Sequence, residues 1–367
     1  MNKKDQIIEY LLSIDFTTPP EHNTTWKAIA DKFDTTSETA RTIWKKYRNA
    51  KPKSSWQVQT KGGGTQWLHS YKHGEVAITE EDIKELFKEL EGLTPRYIES
   101  NISLPKPVLI VFTSDKHIGA KGSVDNEYNA EVIMSRISQL TDHIGKLASI
   151  YGGFSLISIV DLGDSTDGYK GKTDRQAHDL EQNMNDKEIF DVFMKAHAQM
   201  FENIYNLKCF DAIEFHGLAN SNHASSIDYM CFKSLEYLCN SMFPEVVFNT
   251  YNDHENHITI AGIEYIMMHG KDEKYMKQHY PLVTNDKTKS MLKSIMLNKG
   301  VSPGCRVIKG DLHVACSETT ELFQYRNIGS MFGSSNYIKY NFGDSVPSVG
   351  FEIIVDKDIF ENTLLLK

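Results

Sequence analysis

No apolar run in these 367 residues approaches the roughly 18 needed to cross a membrane as a helix, so an integral membrane helix is excluded. Cysteine is scarce. The five present (Cys209, Cys231, Cys239, Cys305 and Cys316) are odd in number and have no paired zinc-site spacing. That argues against a disulfide framework and a cysteine zinc site, and for free thiols in a reducing compartment. No internal repeat or low-complexity tract is visible, which argues against solenoid and fibrous architectures. Met1 to Gln6 lead into a short amphipathic stretch without the apolar core or cleavage site of a signal peptide, so a cytoplasmic protein is expected. Positive charge is in deficit overall, with a net charge of −9, but unevenly. Residues 1–72 carry about 12 Lys/Arg against about 7 Asp/Glu, leaving the remainder near −14. A basic front on an acidic body points to an anionic partner for the front.

The front reads as helix, helix, turn, helix. Ile7, Ile8, Leu11 and Leu12 recur at a helical period. Thr25 is placed to cap a helix from Trp26 to Phe33, Asp34-Thr-Thr36 to turn, and Ser37 with Glu38 to open a second helix over Thr39 to Tyr47. Trp26, Ile29, Phe33 and Ile43 are its expected core, and Ala30 supplies a small residue where the helices approach. Arg41, Lys45, Lys46 and Arg48 are the expected DNA-binding residues. The pattern resembles the helix-turn-helix of DNA-binding proteins. Trp56 to Thr60 and Thr65 to His69 flank Lys61-Gly-Gly-Gly64, which reads as a hairpin and a candidate wing. The acidic stretch Thr79 to Gly92 reads as a capped helix, and Pro105 and Pro107 mark a boundary. The division expected is a small, mainly helical domain over 1–75, a linker with a helix over 76–106, and a catalytic domain over 107–367.

From Val108 onward, apolar runs alternate with helical segments such as 130–149 and 187–207, which is the signature of an α/β domain. The last hundred residues look richer in strands, including 258–260, 350–355 and 363–366. Five polar stretches lie along this body in order: Asp115-Lys-His117, Gly163-Asp164-Ser-Thr-Asp167, Ser221-Asn222-His223, His269-Gly270 and Gly310-Asp311-Leu-His313. Three of them follow strand-like runs, at 109–112, 156–160 and 265–268. Polar groups at strand ends are how open sheets carry chemistry. Asp, His and Asn bind divalent metals through oxygen and imidazole nitrogen. His254 and His257 read instead as members of a polar loop before a strand.

The ordered set resembles the calcineurin-like metallophosphoesterase superfamily from about Val108 to the end. That family's pattern is Asp-x-His, Gly-Asp-x-x-Asp, Gly-Asn-His-Asp/Glu, His, then Gly-His-x-His. The resemblance implies a four-layer β-sandwich flanked by helices and two divalent metals, with Mn²⁺ favoured and Mg²⁺, Fe²⁺ or Zn²⁺ as alternatives. It implies Asp115, His117 and His313 as ligands of one metal, Asn222, His269 and Asp311 as ligands of the other, and Asp164 as the bridging carboxylate. It implies His223 as a non-ligand facing the scissile phosphate. Three positions depart from the pattern. Ser221 stands where a glycine is usual, Ala224 where an acid usually orients the histidine, and Asp311 where a histidine is usual. Further segments, Asp167-Gly168 with Thr173 to His178, and Arg326 to Ser330 through to Gly350-Phe351, resemble metallophosphoesterases of bacteriophages and their hosts. On that basis Arg175, a guanidinium fork able to clamp phosphate, and His178 join Asp164 and His223 as catalytic candidates. A phage origin would place the protein in the cytoplasm of a bacterial host.

The functional expectation is a two-metal phosphodiesterase acting on DNA, a nuclease, targeted by the front domain. DNA double-strand-break repair exonucleases share these motifs, and dimeric members suggest a homodimer by analogy. The alternatives are a phosphatase or nucleotide phosphodiesterase whose front domain docks a protein, and a DNA-binding regulator with an inactive body.

Overall fold

The computed structural model describes residues 7, 29–40, 55–59, 65–69, 84, 85, 88, 106–175, 177–270, 281–342 and 344–367, with backbone alone at 55–59, 65–69, 337, 341 and 342. By contacts the chain forms two compact units, Met1–Lys72 and His73–Lys367. The four expected DNA-binding residues, Arg41, Lys45, Lys46 and Arg48, lie outside the described residues, as do Trp26, Ile43 and nearly all of the expected helix at 79–92.

In the first unit, residues 29–32 and 37–40 are helical. Asp34 adopts a left-handed φ of 44° between them, and the Thr35 amide closes onto the Ala30 carbonyl at 2.9 Å. The cap of the second segment is Thr36, one residue before the expected Ser37. Its hydroxyl accepts the Thr39 amide at 3.1 Å, satisfying one of the orphan donors of a helix start. Ile29, Ala30 and Ala40 are buried. Strands β1 (Ser55–Gln59) and β2 (Thr65–His69) pair antiparallel across the glycine run, in the register Ser55↔His69 to Gln59↔Thr65.

The second unit holds two mixed sheets. The six-stranded sheet runs β13-β12-β3-β4-β5-β6, with β3 (Val108–Thr113), β4 (Phe154–Asp161), β5 (Phe210–Leu218) and β6 (Val246–Tyr251) parallel. β12 (Ser348–Val355) and β13 (Asp358–Leu365) join it antiparallel. The five-stranded sheet runs β10-β11-β9-β8-β7, from β10 (Cys316–Thr319), β11 (Phe323–Asn327), β9 (Cys305–Lys309), β8 (Ile263–Met268) and β7 (Asn256–Ile260). His257 lies in β7 rather than in the loop before it, because its flanking Asn256 and Ile258 alternate inward in a half-buried strand.

Side-chain alternation along these strands builds the layers. Leu109, Val111, Ile157, Ile159, Ile213 and Phe215 face helices α1 (Ala130–Tyr151), α2 (Asp186–Leu207) and α3 (Ser225–Met242). Ile110, Phe112, Val160 and Leu162 face the other way, onto Tyr265, Met267 and Ile308 of the second sheet. The far face of that sheet, through Ile266, Met268 and Val307, packs on Leu292 and Met296 of α4 (Asp286–Lys299). The order is therefore helix, sheet, sheet, helix. A buried ionic cluster ties the middle layers. Glu352 of β12 takes Arg306 at 2.8 Å, Arg326 at 3.3 Å and the Tyr265 hydroxyl at 2.9 Å.

Three of the four helices α1–α4 open on side-chain caps. Asn129 caps α1, an Asn185–Glu188 capping box opens α2, and Asn285 caps α4. The exception is α3, whose cap position is Ala224 and offers no side-chain bond. Asp174, from a distant loop, accepts the Ser226 amide at 2.8 Å in its place. That bond fixes the loop beside His223.

Candidate metal centre

Five turns leave the ends of β3, β4, β5, β8 and β9 toward one place at the seam of the two sheets. The first two are zipped together beyond their strands. Asp115 N donates to Gly163 O at 3.1 Å, His117 N to Asp164 O at 2.9 Å and Ile118 N to Ser165 O at 3.0 Å. The turns are conformationally costly. Of the eleven described non-glycine residues with left-handed φ, five are Asp115, His117, Asp164, Asp311 and His313. Strain of this kind, about 1–3 kcal/mol per residue, persists where the surroundings impose it, and it concentrates at functional sites. Gly310 is needed by close approach, since a Cβ there would lie 1.9 Å from the Ser114 hydroxyl.

The side chains form overlapping clusters. Asp115, His117 and His313 offer ligand atoms within 4.8 Å of one another, and so do Asp115, Asp164 and His269. His313 Nε2 is 3.4 Å from Asp115 Oδ1 and 3.3 Å from His117 Nε2. His269 Nε2 is 3.0 Å from Asp164 Oδ2, 3.9 Å from Asp115 Oδ1 and 4.0 Å from Asp311 Oδ1. The outward nitrogens are fixed by carbonyl acceptors. His269 Nδ1 donates to Leu162 O at 3.0 Å, and His313 Nδ1 to Gly333 O at 2.8 Å. Both rings therefore present Nε2 to the centre, the usual arrangement of a metal-bound histidine. Asp115 Oδ2 accepts the Asp311 amide at 3.0 Å and the Ser114 hydroxyl.

Two buried atoms in this cluster, Asp115 Oδ1 and His269 Nε2, have no hydrogen-bond partner, and neither has the buried Oδ1 of Asn222. Buried polar atoms left alone cost free energy, and native structures avoid them. A cation at the convergence would satisfy Asp115 Oδ1 and His269 Nε2, and the oxygen and imidazole donors suit a hard or borderline divalent ion. The residues present therefore fit a paired metal site.

The electrostatics agree. Burial opposes ionisation of Asp115, yet His313, His117 and His269 hold its carboxyl well below the usual range. Asp164 is likewise held low against burial, by His269, His223 and His117. Burial disfavours charge on His269, but Asp164 and Asp115 push it up to about 9. His117 is raised against burial by Asp115, Asp167 and Asp164. The carboxylates attract protons onto these imidazoles, and a divalent cation would replace them.

His223 is placed differently. Its ring also lies within the 4.8 Å grouping of His117 and Asp164, but its side chain is 26% exposed, against 1–6% for His117, His269 and His313. Its backbone amide donates to Asp164 Oδ1 at 2.9 Å. Its Nδ1 donates to Asp167 Oδ1 at 3.2 Å, the same oxygen that takes His117 Nδ1 at 3.0 Å. Asp167 thus supplies the carboxylate that Ala224 does not. It was legible as the last residue of Gly163-Asp-Ser-Thr-Asp167, but nothing in the spacing assigned it a partner.

The remaining candidates lie around this group. Asn222 precedes His223, and its carbonyl faces the Arg175 amide at 3.5 Å. The Arg175 guanidinium donates to the Asn220 side chain. His178 is exposed, in a tight hairpin where the Thr173 amide donates to its carbonyl. Sequence reasoning also passed over Asp228 of α3, which accepts the Ser165 and Thr166 amides at 3.0 and 2.9 Å and so braces the Asp164 turn. Burial, with Asp164 and Asp161 nearby, pushes its carboxyl up to about 8. Lys116, hidden between Asp115 and His117, pairs with Asp161 beneath the same turns.

No family model matches the chain, and no curated protein matches it. Among solved structures, it is similar to an archaeal phosphodiesterase at 12% identity and a TM-score of 0.36, covering 70% of this chain and 99% of that one. It is similar to Vps29 of Entamoeba histolytica in complex with zinc, at 11% identity and a TM-score of 0.31, covering 71% and 99%. It is similar to a conserved Streptococcus pneumoniae protein described as a predicted phosphoesterase, at 11% identity and a TM-score of 0.31, covering 72% and 91%. At this level the overlaps are partial, and the chemistry rests on the side chains above.

Proposed function

We propose that the chain is a metal-dependent phosphoesterase that cleaves phosphodiester bonds in DNA. The observation that carries the phosphoesterase reading is the pair of overlapping His/carboxylate clusters that share Asp115, on strained turns from both sheets. Asp115, His117, Asp164 and His313 would hold one divalent cation, and Asp164, Asn222, His269 and Asp311 the other. When bound, such a pair neutralises phosphoryl oxygens and acidifies water. Asn222 contributes an oxygen without adding negative charge beside an anionic substrate.

His223 is the group assigned to the leaving oxygen. Its partly buried ring has Nδ1 held on Asp167, which leaves Nε2 to face the substrate side. The Asp167 carboxylate orients the ring, a positioning role of the kind that supports general acids. Arg175, beside Asn222, is assigned to the substrate rim.

DNA as the substrate is supported by the basic charge of residues 1–72 and by the turn between the helical segments at 29–32 and 37–40. A tethered binding module raises the local concentration of DNA at the site. The test is incubation with Mn²⁺ and bis-p-nitrophenyl phosphate, p-nitrophenyl phosphate, and linear and circular DNA, each against Asp164→Ala. Diester and DNA turnover, lost in the variant, is expected. Turnover of the monoester alone would replace DNA with a phosphatase substrate. No turnover with any divalent metal alongside tight DNA binding would favour an inactive regulator.

A further inference from the structure

We infer that Arg136 of α1, remote from the turns in sequence, is a positioning residue for the His313 half of the centre. The inference rests on the paired-metal reading above. Arg136 is 4% exposed, and its Nη1 donates to the carbonyls of Met331 at 2.7 Å and Phe332 at 3.0 Å. Its Nη2 donates to Asn126 Oδ1 at 3.0 Å. Asn126 in turn donates to the carbonyls of Phe332 at 2.9 Å and Ser334 at 3.0 Å. A guanidinium and an amide thus grip the outer side of the segment 331–334 through its carbonyls.

The inner side of that segment carries the first half of the centre. Gly333 O accepts His313 Nδ1 and thereby aims Nε2. Met331 N donates to Ser114 O at 3.0 Å and Phe332 N to Asp115 O at 3.1 Å, while the Ser330 hydroxyl donates to Asp115 O at 2.8 Å. Phe332 lies edge-on to His117, with ring centroids 5.6 Å apart, and against Tyr128 at 4.7 Å. Tyr128, under the Arg136 guanidinium at 5.2 Å, donates its hydroxyl to the Lys116 carbonyl between Asp115 and His117. Asp115, His117 and His313 are therefore all backed by one block that Arg136 grips.

The other half is backed elsewhere. His269 leans on Leu162 O, and the Asp164 turn on Asp228. Neither contact involves the segment 330–334. Only Asp311 of that half leans on the block, through its amide on Asp115, so loss of the guanidinium should act chiefly on the His313 half. Lysine does not reproduce a fork with several directed donors.

The experiment is calorimetric titration of the full chain, stripped with chelator, with Mn²⁺. It compares wild type, Arg136→Met and Arg136→Lys, and combines Arg136→Met with His313→Ala or His269→Ala. Wild type should show two sites. Arg136→Met should weaken one by about 10–100-fold, as removal of an outer partner of a ligand does, and the other by clearly less. The further loss on adding Arg136→Met should be small over His313→Ala and full over His269→Ala. Equal weakening of both sites, or an unchanged isotherm, would overturn the inference while the two wild-type sites kept the metal reading. No Mn²⁺ uptake by wild type would overturn both. If Arg136→Met lacks a cooperative melt, Arg136→Lys decides by the same criterion, since its ammonium retains charge but reaches fewer of the three acceptors. Selective weakening supports the role; equal or absent weakening removes it.

Discussion

The two sheets contribute to the centre by different means. The six-stranded sheet delivers Asp115, His117, Asp164 and His223 on turns of which two are laced to each other through backbone bonds. The five-stranded sheet delivers His269, Asp311 and His313. These depend largely on the other sheet's loops and on the tail: His269 on Leu162 O, Asp311 N on Asp115 Oδ2, His313 on Gly333 O. One sheet builds a rigid half, and the second borrows its orientation. Both clusters that contain Asp115 cross the seam, so the affinity of the centre for metal is tied to the packing between sheets. A single sheet with strand-end loops would have no such link.

The sharpest break falls at the residue that both halves need. Asp164→Ala should abolish turnover of a chromogenic diester and leave at most one Mn²⁺ bound, as read by calorimetry. Retention of two tight ions would show that Asp164 does not join the halves. His223→Ala comes next. Turnover should fall about 10²–10⁴-fold, the range for a general acid, with Mn²⁺ stoichiometry intact, because the ring lies at the exposed edge of the cluster. Loss of an ion instead would make His223 a ligand.

Neighbours in one strand then separate seam from core. Leu109 and Ile110 are both fully buried in β3, but Leu109 faces the helices and Ile110 faces the second sheet. Either alanine variant should cost about 2–5 kcal/mol by denaturant titration. Only Ile110→Ala should also weaken Mn²⁺ binding, because it loosens the seam. Equal effects of the two on metal would dissolve the link between packing and affinity.

Protonation gives a gentler test of the same seam. His269 is pushed up to about 9 from 6.5, so in chelator its proton stabilises the fold fully below 6.5, and that stability is lost as pH rises through 9. Asp228, pushed up to about 8, acts in the same direction. Lys309, pushed down to about 8 by burial, opposes them only above that value. Between pH 6.5 and 8 the melting temperature in chelator should therefore fall. Excess Mn²⁺ should flatten the His269 part of that slope, since the ion takes the place of the proton. A slope indifferent to Mn²⁺ would separate His269 from the metal.

Much of this was legible before any coordinates. The alternation of apolar runs with helical segments identified the α/β body, and 130–149 and 187–207 fall within α1 and α2. The turn residues Asp115, His117, Asp164, His269 and His313 were named through the resemblance of five ordered polar stretches, three of them just past strand-like runs, to a metal-binding pattern. What was not legible was lateral. Asp167 gained its role from two imidazoles brought to one oxygen, and Asp228 from a helix N-terminus meeting the β4 turn. Arg136 acts on backbone carbonyls nearly 200 residues away, and carbonyls have no sequence signature. The capping of α3 by Asp174 failed to show for the same reason: an Ala at the cap position reads as an absence, and the substitute comes from another loop.

The mildest expected effect concerns the first unit. Deleting residues 1–72 should leave diester hydrolysis and the Mn²⁺ isotherm unchanged, since every residue assigned to the centre lies in His73–Lys367. On long DNA the same deletion should reduce cleavage, and the reduction should shrink as salt rises. Phosphate contacts by a few cations give a log K that falls by about 0.9 per phosphate neutralised for each tenfold rise in salt. The full chain should therefore lose its advantage with salt while the truncated chain changes less. This comparison isolates targeting from chemistry, because the small diester reports the centre alone and long DNA reports both. A truncated chain that digests long DNA as well as the full chain at every salt would remove the DNA-targeting role of the front and leave a protein partner as its alternative. The metal centre would survive that result, because none of its ligands or their backing residues belongs to the deleted unit.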